Sequence, residues 1–118
     1  MLPRQWRLSK PDDFRATVRH GLRVGRPTLV LHARPSAHSG VRVGFIVARS
    51  VGNAVTRNRV KRRLRHLAAG QLSATPTGTD VVVRALPGAA LETAELPAHL
   101  SDAWQAVVRR LDAHQGIR

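Results

Sequence analysis

The sequence predicts an α+β fold in a single domain, ordered helix, strand, strand, an optional third strand, helix, strand, helix, with a mixed sheet of about four strands and the helices packed on it. Three observations point there. Short β-branched runs alternate with a period of two, whereas the segments between them carry helical start and stop signals. A β-branched run also follows the central helix, so the strands are not all joined by hairpins. Finally, 118 residues, 42% of them hydrophobic, suffice for one core and not two, so residues 1–118 are read as one domain.

The first helix is predicted over Lys10–Arg19. Ser9 stands where a capping hydroxyl belongs, Pro11 suits the first turn, Asp12 and Asp13 suit the positive helix end, and Gly21 supplies a stop. Phe14 and Val18 fall one turn apart on one face. Thr28–Ala33 and Val41–Ala48 read as strands forming an antiparallel pair across the turn-rich link RPSAHSG. In the second, Val41, Val43, Phe45 and Val47 share one side and Arg42, Gly44 and Ile46 the other. Asn53 is placed to cap a central helix running to about Ala69, before Gly70. The run DVVVRAL, Asp80–Leu86, is too β-branched for a helix and reads as a further strand. A last helix is predicted over Pro97–His114, with Leu100, Trp104, Val107, Val108 and Leu111 along its apolar side. The helices are expected on one side of the sheet, leaving the other face for a ligand.

The formal net charge is +13, and self-repulsion of that size in a small domain is relieved by a polyanion. No Asp or Glu occurs between Asp13 and Asp80, while thirteen Arg or Lys fall in those sixty-six residues. Eighteen of the twenty basic residues are Arg, whose planar fork suits phosphates and stacks on bases. The absence of cysteine excludes disulfides, thiolate metal sites and cysteine nucleophiles. No apolar run approaches the ~20 residues that span a bilayer, and the N-terminus lacks a signal-peptide run, so a cytoplasmic location is expected. His20, His32, His38, His66, His99 and His114 lack metal-ligand spacing and read as surface or RNA-facing residues. Helix capping accounts for Asp12 and Asp13 more simply than a metal does. No phosphate-binding Gly-Lys loop or dinucleotide fingerprint appears, so no bound cofactor and no self-sufficient protein enzyme is expected.

The segment Val51–Leu67 carries the functional signal. At about 100° per residue, Thr56, Val60, Leu64, Leu67 and Ala68 form a narrow apolar stripe. Asn58, Arg62 and Arg65 lie opposite it, Arg59 and Lys61 on the flanks, and Arg57 and Arg63 at the stripe's edges. Like charges one turn apart disfavour an isolated helix, and phosphates reverse that effect.

This run, GNAVTRNRVKRRLR, resembles the Arg-Asn-Arg signature of the bacterial ribonuclease P protein family, with Arg57, Asn58 and Arg59 at its core. DFRATVRHG resembles the family's first helix and turn, RVGFIVARSVGNAV the strand leading into the signature helix, and DVVVRALPGAA the strand after it. The likeness covers about Ser9–Ala90; residues 1–8 and the last helix match in general character. It implies a fold like the second domain of ribosomal protein S5, with a short extra strand near Leu22–Val24 and a left-handed crossover between the parallel strands. Physics alone favours the right-handed form, found in about 98% of such connections.

The resemblance further implies a non-catalytic subunit of an endoribonuclease, paired 1:1 with a catalytic RNA that holds the magnesium ions and removes the 5′ leader of precursor tRNA. Arg57, Asn58, Arg59, Lys61, Arg62, Arg63 and Arg65 would contact RNA. A cleft between the sheet and the first helix would take the single-stranded leader. Single-stranded RNA needs stacking surfaces and a cationic track, which Phe14 with Arg15, Arg42 and Arg49 can supply, although Phe14 also suits a helix core. Val18 and His32 occupy cleft positions where family members carry aromatics, so charge should matter more than stacking here. Competing readings are a ribosomal protein, which would co-sediment with ribosomal subunits, and a helix-turn-helix DNA binder, which lacks the required partner helix. A membrane-active helix would need aromatic anchors that this stripe lacks.

Overall fold

The computed structural model describes residues 3–116. Helix α1 spans Pro11–His20, strand β1 Leu22–Arg26, β2 Leu29–Pro35 and β3 Val41–Ile46. Helix α2 spans Ala54–Ala69, strand β4 Thr79–Ala85, the short α3 Gly88–Leu91 and α4 Leu96–Gly116. Strand order is β1-β2-β4-β3, with β2 antiparallel to β1 and β4, and β3 parallel to β4. The sheet is therefore mixed and four-stranded, and the order of elements is the predicted one. The short strand expected near Leu22–Val24 is β1.

The anticipated antiparallel pairing of β2 with β3 does not form. Instead β4 lies between them, reached from β3 through the α2 crossover. The reason is burial: Val81, Val82 and Val83 have no exposed surface, so β4 is covered on both faces as a central strand must be. Its register lines up Arg34, Asp80 and Arg42 across three strands.

One face of the sheet presents Val24, Leu29, Leu31, Ala33, Val41, Val43, Val81, Val83 and Ala85 to the main core, where Val60, Leu64 and Ala68 of α2 and Leu100, Trp104, Val107 and Leu111 of α4 meet them. The Trp104 indole N–H donates to Thr75 Oγ1 at 2.8 Å, so this buried ring is also satisfied. The other face carries α1, a departure from the one-sided arrangement expected. Its Phe14 ring packs over Gly44 of β3, where any Cβ would overlap it.

Ser9 does not cap α1: the flanking residue is Lys10, without a side-chain cap, and Pro11 opens the helix. Asp12 pairs with Arg15, while Asp13 turns toward the sheet. Upstream, Arg7 bridges to Val43 and the Leu8 N–H donates to the Val43 carbonyl at 2.9 Å, covering the outer edge of β3. Among the described residues no helix is long and apolar enough to cross a membrane.

Candidate nucleic-acid interface

The central helix begins as its sequence dictates. Asn53 Oδ1 accepts from the Thr56 backbone N–H at 2.9 Å, and Gly70 follows the last helical residue. Val60, Leu64 and Ala68 are buried, with Thr56 and Leu67 half-buried beside them. Asn58, Arg59 and Arg62 are exposed, and Arg57, Lys61, Arg63 and Arg65 half-buried. Among the described residues no carboxylate forms an ion pair with any cation of α2; the pairs present engage Arg15, Arg34, Arg42 and His99. The ridge is thus cationic and free of ion pairs among the described residues. Arg57 is set differently from its neighbours: its Nε is buried and has no hydrogen-bond partner among the described residues.

On the opposite face of the sheet, Phe14, Arg15, Val18 and Arg19 of α1 and Ile46 of β3 line an open groove of about 290 Å³. Phe14 is therefore a half-buried wall of this groove and not a core residue. The other three positions anticipated for a cleft are placed differently. Arg49 is exposed, in a 3-10 turn over Arg49–Val51. Arg42 donates through Nε and Nη2 to the two oxygens of Asp80, both at 2.9 Å, and its Nη1 lies 3.4 Å from Asp13. Hydrogen bonding to Asp80, opposed by burial and reinforced by the charges of Asp80 and Asp13, raises its pKa further above the ordinary arginine value. Arg42 thus acts as a clamp between α1 and the sheet.

His32 is 4% exposed, which corrects its reading as a surface or RNA-facing histidine. Among the described residues neither ring nitrogen has a hydrogen-bond partner. Burial, then the charges of Arg23 and Arg84, pushes its pKa below 6.5, so the ring is neutral. His99 is also partly buried, its Nδ1 3.0 Å from Thr28 Oγ1. The side chain of His114 lies outside the described residues.

Several contributors were not singled out from sequence. Arg19 and Ile46 line the groove, and the exposed Arg23 and Arg84 share its sheet face. Arg19 follows Arg15 by four residues, and β-alternation puts Arg84 on Val82's side, so both signals were present. The clamp of Asp13, Arg34, Arg42 and Asp80 had no such signal, because its members converge only through the strand order.

A family model for ribonuclease P matches residues 2–108. The ribonuclease P protein component of Streptomyces bikiniensis is 48% identical, over 92% of this chain and 96% of its own. That of a Mycobacterium species (strain KMS) is 46% identical, over 96% of this chain and 98% of its own. The fold superposes with a TM-score of 0.77 and 25% identity on a Staphylococcus aureus RNase P protein mutant with defective mRNA degradation activity, covering 86% of each chain.

Proposed function

From the chain's membership of the ribonuclease P protein family, we propose that it is the RNA-binding protein subunit that partners the catalytic RNA 1:1 and promotes removal of the 5′ leader from precursor tRNA. The observation that carries this reading is the α2 ridge: seven polar or cationic residues from Arg57 to Arg65 with no carboxylate paired to them among the described residues. Such a surface favours a phosphate backbone, and Arg62 and Arg65 project away from the packed stripe. The groove of Phe14, Arg15, Val18 and Arg19 takes the leader, with one aromatic wall and guanidinium groups for the backbone. Arg49 extends this cationic track; Arg42 and His32 support the floor.

Hydrolysis belongs to the RNA, which would hold the magnesium ions; the protein contributes affinity and position, in the cytoplasm. The test is cleavage of precursor tRNA by ribonuclease P RNA at low magnesium, with and without this protein. Stimulation is expected, and an unchanged rate would end the reading.

A further inference from the structure

The outer edge of β3 carries a second hollow, of about 290 Å³, lined by Gln5, Trp6, His38, Ser39, Gly40 and Val41. We propose that it is a stacking slot for one unpaired nucleobase of the RNA partner. This rests on the reading of the partner as RNA.

The chain has only four aromatic residues, and Trp104 is sealed in the core. Trp6, by contrast, is half-buried, packed against the core at its base while also lining the hollow. An indole and an imidazole at one small cavity supply ring surface for any base, the sequence-tolerant mode by which unstacked RNA is held. The Gln5 amide and the Ser39 hydroxyl can meet a base edge. The volume lies at the small end of ligand sites, which begin at roughly 300 Å³, and so suits one base. No carboxylate lines the hollow, and the exposed Arg4 stands in the same turn as Trp6.

The slot is also preformed. The Trp6 backbone N–H donates to the Pro3 carbonyl at 3.0 Å, and the chain beyond it is tied to β3 at Leu8. The His38 N–H donates to Ser36 Oγ at 3.3 Å, and Gly40 accepts from the Gly78 N–H at 3.0 Å. Val41 belongs to the core that α2 packs on, so the slot is separate from the groove on α1's face.

Tryptophan fluorescence reads this directly, because the chain has two tryptophans and Trp104, buried and bonded to Thr75, provides a constant background. Titrated into the full chain, single-stranded hexaadenylate should quench Trp6 saturably, whereas a mixed-sequence RNA duplex should not. His38→Ala, on an exposed turn, should raise the quenching midpoint about tenfold. Leu91→Ala, exposed on α3 and outside both the hollow and the groove, should leave it unchanged. Absence of quenching, equal quenching by the duplex, or an unmoved midpoint in His38→Ala overturns the slot. The precursor-cleavage assay on the same preparations separates the two readings: stimulation without quenching removes the slot alone, and quenching without stimulation removes the ribonuclease P assignment alone.

Discussion

Asp80 has no exposed surface, yet it meets Arg42 at 2.9 Å and Arg34 at 4.0 Å. Removing its charge strands two guanidinium groups against the sheet, so Asp80→Asn should cost about 3 kcal/mol, the low end for a broken buried pair, since both arginines keep some water. Urea denaturation measures this, and an unshifted midpoint would show that the clamp contributes nothing. Gly44→Ala should displace the Phe14 ring, lowering stability by about 1–3 kcal/mol as overpacking does. It should also weaken binding of precursor tRNA more than of leaderless tRNA, and equal losses would detach Phe14 from the leader. His32 gives the fold a pH dependence. Its folded pKa lies below 6.5, so on acidification the unfolded chain takes up the proton first. Stability is therefore full above pH 6.5, falls between 6.5 and the lowered folded value, and levels off beneath it. Urea midpoints at pH 7.5 and pH 5.5 should differ less in His32→Phe than in the native chain; an identical difference would mean that another group titrates.

At the scale of the element, α2 follows from its own residues: Asn53 caps it, Gly70 ends it, and the apolar stripe at Val60, Leu64 and Ala68 is the buried one. Arg62→Glu with Arg65→Glu should leave the circular dichroism spectrum intact and weaken RNA binding roughly tenfold or more. The salt slope should fall by about two, one for each lost phosphate contact. Unchanged affinity would mean that RNA engages some other surface. Strands β2, β3 and β4 were legible from their β-branched runs, whereas β1 was expected only from the family resemblance. Helix α1 was legible in extent, but its start was misassigned. A hydroxyl before a proline looks like a cap, and here the backbone entered through Lys10 with Asp13 drawn to the sheet instead.

Over the whole molecule, charge governs association. With about six phosphates neutralised, RNA affinity should fall on the order of a thousandfold between 50 and 200 mM salt, and a nearly flat response would contradict the cationic ridge. The two acids that bound the basic stretch in sequence, Asp13 and Asp80, come together at one clamp in space, and among the described residues no cation of α2 forms an ion pair. No local pattern could announce that convergence, because it depends on β4 entering between β2 and β3.

By itself the sequence determined the main elements, the wet and dry sides of α2 and the large positive charge, because periodicity, capping and net charge are local or additive properties. Tertiary structure alone decided the strand order, the side of the sheet on which α1 sits, and which arginines remain available. Arg42 and Arg62 look alike along the chain, and only packing put two carboxylates beside the first and solvent beside the second.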